Sequence, residues 1–352
     1  MNITVNKTDT PKQKPDESNL QFGKIFTDHM FIMDYNPEQG WHDARIVPYG
    51  PLEYDPATAV FHYGQAIFEG MKAYATADGA IQLFRPEQNM QRINQSNDRI
   101  CIPPIDEVFA LEAVKTLVDL ERQWVPKAEG TSLYIRPFII ATDAFLGLRV
   151  SQNYQFIVIL SPVAAYYPQG INPVNIYVET EFVRAVRGGT GYAKTAGNYA
   201  ASLKAQQKAA QKGYVQVLWL DGVEQKYVEE VGAMNVFFQI GDEVITPPLE
   251  GTILPGITRQ SVMELLRSWD VKVSERKLSI DELHQAFQEG KLVEAFGTGT
   301  AAVISPIGEL CWGSEIIKIS KETGPLAKRL YTTLTGIQTG SLEDTFGWTV
   351  KV

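Results

Sequence analysis

The chain has 352 residues, 44% of them hydrophobic and 21% charged, enough for two compact domains of ordinary globular composition. A formal charge of -9 speaks against nucleic acid and anionic membrane, which need a basic surface, and leaves small molecules as the expected partners. Cys101 and Cys311 fit neither a CxxC nor a metal-ligand spacing, so we expect a cytoplasmic protein with no disulfide scaffold and no structural zinc.

The first twenty residues are polar and Pro-containing, lack the apolar stretch of a secretion signal, and are expected to be flexible. From Phe22 onward short strands (Ile46–Val47, Ile81–Phe84, Leu133–Ile140, Phe156–Leu160) alternate with two helical stretches. One runs from Pro86 to Ile100 behind a proline start. The other, from Asp106 to Trp124, puts Val108, Leu111, Val114, Val118 and Leu120 near helical spacing. Residues 1–164 therefore read as a smaller N-terminal α+β domain. The segment 165–174, rich in proline and without periodicity, reads as a linker.

Residues 175–352 form the expected larger domain. A strand over Asn175–Val183 leads through a Gly-rich loop to a helix over Asn198–Lys212, which Gly213 stops. Val215–Leu220, the dipeptide Asp221-Gly222 and a strand from Val223 suggest a tight hairpin, and Phe237–Ile240 with Gly241-Asp242 suggests a second. A helix over Thr258–Trp269 would bury Val262, Leu265, Leu266 and Trp269. Another opens on the capping box Ser279-Ile280-Asp281-Glu282 and ends at Gly290. The longest apolar runs are strand-sized, short of the roughly 20 residues of a membrane span. His29, His42, His62 and His284 lie scattered without a ligand spacing, so no metal is expected.

The loop from Gly188 to Tyr199 sets four glycines around Lys194, which implies close approach of some group to its backbone. Gly188–Thr195 misses the phosphate-binding pattern GxxxxGK[ST] by one residue, since Ala193 stands in place of the last glycine. Gly197 further interrupts the helix that should begin at the lysine. On this loop alone, a simple turn with a solvated lysine remains open.

Other segments bear on the choice. GGTGYAKTAGNYA, together with Phe68-Glu69-Gly70-Met71-Lys72, Phe84-Arg85-Pro86 through Arg92, Tyr134-Ile135-Arg136-Pro137, Glu229-Glu230-Val231-Gly232-Ala233, Leu254-Pro255-Gly256-Ile257-Thr258 and Gly297-Thr298-Gly299-Thr300-Ala301, closely resembles the branched-chain amino-acid aminotransferases. The likeness runs in the same order along nearly the whole chain. It implies a fold-type IV pyridoxal 5'-phosphate enzyme: two domains of mixed α/β (α+β) class, the larger with a mostly antiparallel β core, and an active site at the domain interface.

The same resemblance assigns roles. Lys194 would form the Schiff base with the cofactor and shuttle a proton, which desolvated lysine can do and arginine cannot. Glu230 would meet the pyridine nitrogen, and strand alternation turns its neighbour Glu229 to the other face. Tyr199 would bond the phenolic oxygen. Arg92, Ile257 and Thr258 at a helix start, and Thr300 would hold the phosphate. Tyr63, Phe68, Tyr134, Arg136, Ala233 and Ala301 would surround the substrate. Leu146 and Leu148 lie in a loop that in the family reaches into the partner subunit's site, so a homodimer is implied.

The implied reaction is reversible transfer of the amino group of L-leucine, L-isoleucine or L-valine to 2-oxoglutarate. It gives the branched-chain 2-oxo acid and L-glutamate by a ping-pong cycle. Two departures stand out. Ala302 and Ser305 occupy the positions of the eukaryotic redox CxxC, and Ala233 replaces a threonine found in some relatives. A D-amino-acid aminotransferase or aminodeoxychorismate lyase of the same fold, a nucleotide-binding P-loop enzyme, and a non-catalytic binding protein are the competing readings.

Overall fold

The computed structural model describes residues 1–164 and 170–352. The first stretch holds β1 (Thr4–Val5), β2 (His29–Asn36), β3 (Gly40–Pro48), α1 (Ala59–Tyr63), β4 (Ala66–Phe68), β5 (Met71–Ala75), β6 (Ile81–Phe84), α2 (Pro86–Arg99), α3 (Glu107–Leu120), β7 (Ser132–Ala141) and β8 (Tyr154–Val163). The second begins with β9 (Val174–Val178), α4 (Ala196–Gln211), β10 (Gln216–Leu220), β11 (Val228–Val231), β12 (Met234–Ile240), β13 (Glu243–Thr246) and α5 (Ile257–Ser268). It continues with β14 (Lys272–Glu275), α6 (Ile280–Gln288), β15 (Leu292–Gly299), β16 (Val303–Trp312), β17 (Glu315–Lys318), α7 (Pro325–Thr339) and β18 (Thr349–Lys351).

These elements divide between two compact units. One gathers the described residues before 165 with Ala193–Ala196 and Gly336–Val352. The other gathers those from 170 to Tyr192 with Gly197–Thr335. The first unit is built on a sheet of order β1-β3-β2-β8-β7-β5-β6-β18, with β4 added beside β7. α2 and α3 pack on it. Met90 and Ile93 of α2 join Ala110, Ala113, Val114, Leu117 and Val118 of α3 in a core with Phe31, Ile46, Leu83, Ile135 and Phe156. The Asp106 carboxylate caps α3 by accepting the Phe109 N–H at 3.0 Å.

In the second unit the strands follow β11-β10-β9-β16-β15-β12-β13-β14. An additional β11–β12 pairing closes six of them into a ring, so those six have no free edge. β9 runs parallel to both β10 and β16, and the other pairings around the ring are antiparallel. The mixed class and mostly antiparallel core match the sequence expectation.

Several local expectations need correction. Val108 is 80% exposed, because α3 turns its alanines, Ala110 and Ala113, to the core instead. The strand expected over Asn175–Val183 stops at Val178, where the Glu179 carboxylate accepts the N–H groups of Glu181 and Phe182 and bends the chain. The tight hairpin at Asp221-Gly222 is a longer loop. Asp221 accepts backbone N–H groups from Val223, Glu224, Lys226 and Tyr227, so pairing resumes only at Val228.

The capping box at α6 is half made. Ser279 Oγ accepts the Glu282 N–H, but the Glu282 carboxylate pairs with Arg276. At the start of the chain β1 pairs with β3, the Lys12 N–H donates to Asp28 Oδ1 at 2.7 Å, and Leu20 is buried. The last residues, expected in the larger domain, complete the first sheet through β18 and β6. The linker expected over 165–174 falls outside the described residues from 165 to 169, and its end meets the start of β9.

Candidate active site

In the first unit the segment Ala193–Ala196 lies against α2 and β4. The Lys194 N–H donates to Ser96 Oγ at 2.9 Å, the Phe68 N–H donates to the Lys194 carbonyl at 3.1 Å, and Ile67 bridges Thr195. Lys194 Nζ stands 4.8 Å from the Phe68 ring centroid. Asn89, Arg92 and Ser96 fall at helical spacings of three and four, which puts them on one stripe of α2. All three are buried.

That stripe also meets Glu69, a residue the sequence reading passed over as a ligand. Glu69 is fully buried in the connection from β4 to β5. Arg92 grips it with two bonds, Nε to Oε1 at 2.7 Å and Nη2 to Oε2 at 2.9 Å. Asn89 Nδ2 adds a third at 2.7 Å, and the Gly70 N–H a fourth at 3.1 Å. Burial pushes the Glu69 carboxyl up, but the Arg92 charge and bonds, with Lys194 and Asn89, outweigh it and hold the group below the ordinary carboxylate range.

Arg136 and Tyr134 lie on the same strand two residues apart and share a face. Arg136 Nη2 donates to Tyr134 Oη at 3.1 Å, and the guanidinium sits 4.8 Å from the Phe68 centroid and 5.2 Å from that of Tyr134. Gly70 makes room for this pair, since a Cβ there would collide with Tyr134 Oη. Arg136 Nε is buried with no hydrogen-bond partner among the described residues. Tyr63 joins a different group: its hydroxyl donates to the Leu146 carbonyl, while Leu146 and Leu148 are exposed.

In the second unit three neighbouring strands present a lateral row. Glu230 of β11 pairs in register with Asn235 of β12, and Asn235 with Thr298 of β15. The loop before α5 is tied to this row. The Leu254 N–H donates to Glu230 Oε1 at 2.9 Å, Asn235 Nδ2 donates to the Leu254 carbonyl at 2.9 Å, and a Cβ on Gly256 would strike Asn235 Oδ1. α5 then opens at Ile257 and Thr258, both buried, with no side chain capping it.

Arg184, which sequence reasoning missed, stands 3.2 Å from Glu230 Oε2 with both side chains buried. Its guanidinium also donates to the Gly191 carbonyl at 3.3 Å and to that of Thr252. Its signal was only its place just upstream of the Gly-rich loop. Glu229 is also buried; burial raises its carboxyl above the usual range despite a bond from Thr252 and the Arg184 charge.

The same register places the Gly232-Ala233 turn and the Thr300-Ala301 turn at one end of the ring. Val303, closing the second turn, carries a φ of 61°, a strained value for a β-branched residue. Tyr199 lies half-buried on α4, whose start is joined to the Gly-rich loop by two bonds between Asn198 and Thr190 at 2.6 and 2.9 Å.

The donor set suits a phosphorylated, aromatic cofactor of the pyridoxal type. Within the second unit the uncapped first turn of α5 favours an anion, and the Glu230 carboxylate favours a cationic ring nitrogen.

Comparison with known proteins is consistent with this chemistry. The family model for amino-transferase class IV matches residues 66–310. The chain is 62% identical to branched-chain-amino-acid aminotransferase 2 of Bacillus subtilis (strain 168), over 99% of this chain and 97% of that protein. It is 57% identical to branched-chain-amino-acid transaminase 1 of the same organism, over 99% of each. Among solved structures, the branched-chain amino acid aminotransferase from Escherichia coli superposes with a TM-score of 0.73 at 26% identity, over 92% of this chain and 98% of that one. A T.th. branched-chain amino acid aminotransferase with pyridoxamine 5'-phosphate superposes with a TM-score of 0.75 at 26% identity, over 91% of this chain and 97% of that one.

Proposed function

The chain belongs to the class IV aminotransferases, and on that footing we propose that it transfers the amino group of L-leucine, L-isoleucine or L-valine to 2-oxoglutarate. The observation that carries the reading is twofold: Lys194 is held by its backbone against α2 and β4, and the Glu230 carboxylate is oriented on both oxygens.

Pyridoxal 5'-phosphate, when bound, supplies the electron sink that stabilises charge at the substrate α-carbon. Lys194 is the residue that holds it covalently and that takes and returns a proton at Nζ. The half-buried Lys194 places Nζ over the Phe68 ring, 4.8 Å from its centroid. Glu230 serves the ring nitrogen, Tyr199 the phenolic oxygen, and Arg92, Ile257, Thr258 and Thr300 the phosphate. Tyr134 and Arg136 offer a hydroxyl and a guanidinium to a substrate carboxylate, and Phe68 walls an apolar side chain. Tyr63, Ala233, Ala301, Leu146 and Leu148 complete the proposed substrate surroundings, and the chain works as a homodimer. The T.th. enzyme has also been solved complexed with N-(5'-phosphopyridoxyl)-L-glutamate, and this structural neighbour supports glutamate as the second amino donor.

The test is the visible spectrum of the purified protein. We expect a yellow species that is fixed by borohydride and shifts on adding L-leucine but not D-alanine. A protein that takes up no pyridoxal 5'-phosphate sinks the reading, and turnover of D-alanine without leucine redirects it to the D-amino-acid branch.

A further inference from the structure

Glu69 takes part in no proton transfer assigned to Lys194, yet it is fully buried, and burying a charge costs several kcal/mol unless its partners replace water completely. Its partners do so with unusual thoroughness. Both oxygens are engaged by Arg92, and Oε2 also receives Asn89 and the Gly70 N–H. The two arginine bonds come from Nε and Nη2, one edge of the planar guanidinium, so they fix its plane as well as its position. The Glu69 N–H is itself anchored, donating to the Pro137 carbonyl at 2.7 Å, so the carboxylate stands on rigid backbone.

We propose that Glu69 is the positioning residue of Arg92, holding the guanidinium in one orientation before the cofactor arrives and thereby setting how tightly the protein grips the phosphate. An unheld arginine would lose side-chain freedom on binding, and pre-ordering removes that loss from the binding step. Because Asn89 and Arg92 share the α2 stripe with Ser96, the same helix face that orients the phosphate arginine also fixes the backbone of Lys194. The role rests on the reading of Arg92 as a phosphate residue.

The experiment compares the apoprotein's Kd for pyridoxal 5'-phosphate with that for pyridoxal, which lacks the phosphate, in wild type, Glu69→Gln and Arg92→Met. Glutamine keeps one acceptor but turns an NH2 toward the arginine. The expected result is a loss of roughly 10- to 100-fold for pyridoxal 5'-phosphate, with pyridoxal changed by less than about 2-fold. A second readout needs no cofactor: inorganic phosphate should raise the melting temperature of the wild-type apoprotein and fail to do so in Glu69→Gln.

Equal weakening of both ligands in Glu69→Gln would mean general structural support and overturn the proposal. So would a lost phosphate preference in Arg92→Met that Glu69→Gln retains, which leaves the arginine's own role intact. An unchanged preference in Arg92→Met would instead refute the phosphate reading of Arg92, and the positioning role with it. Should Glu69→Gln fail to fold, Asn89→Ala removes one of the four bonds. A smaller loss confined to pyridoxal 5'-phosphate then supports the role, and an unchanged preference rejects it.

Discussion

Lys72 of β5 is 8% exposed and faces Tyr134 in register on β7. Burial pulls its pKa down from 10.5 to about 8. The unfolded chain therefore holds more protons than the folded one between those values, so stability should rise with pH through this window. Below pH 8 the fold bears the whole cost of the buried charge, roughly 3 kcal/mol at most. Urea unfolding of the apoprotein at pH 7.5 and 9.5 should show the increase in wild type, and Lys72→Met should abolish it. An equal slope in both would place the titration elsewhere. Residues of this kind separate what a chain discloses from what it hides. Lys194, Glu230 and Arg92 stand inside the motifs that brought them into the proposed site. The work of Glu69, Asn235 and Arg184 depends on partners far away in the chain that only folding supplies.

Elements were legible in kind and less so in register. α2, β6 and α5 fall within a residue of their expected ends because proline, glycine and apolar spacing mark them. α3 buries Val114 and Val118 from the expected set, and Leu117, but it also turns Ala110 and Ala113 inward, and alanines carry little weight in a pattern of large apolar residues. The loop after β10 was misjudged because Asp221 gathers four N–H groups, an arrangement its dipeptide does not announce. Burial pushes the Asp221 carboxyl up, but those bonds outweigh it and hold its pKa at about 2 instead of 3.8. Its stabilisation is present above pH 3.8 and lost as pH falls through 2. Asp221→Ala should cost about 1 to 2 kcal/mol at neutral pH and flatten the acid dependence in that interval, measured by chemical denaturation. A variant as stable as wild type would show that the loop holds without its carboxylate.

For the whole molecule, the exposed apolar residues of the first unit bear on assembly. Phe61, Tyr63, Phe145, Leu146 and Leu148 leave a large apolar surface in water, with Leu148 81% exposed. Light scattering should give a mass near twice 39.3 kDa, and Leu148→Asp should shift the population toward the single chain. A monodisperse monomer in wild type would refute the dimer.

The pairing of β18 with β6 carries a consequence for biogenesis. The edge strand of the first sheet comes from residues Thr349–Lys351, some 265 positions after the strand it joins. The second unit, by contrast, has its last residue at Thr335. On the ribosome, the half of the molecule that is translated first is therefore the half that is finished last. Its sheet waits with an open edge until Lys351 clears the exit tunnel, an interval in which a chaperone has a definite strand site to shield.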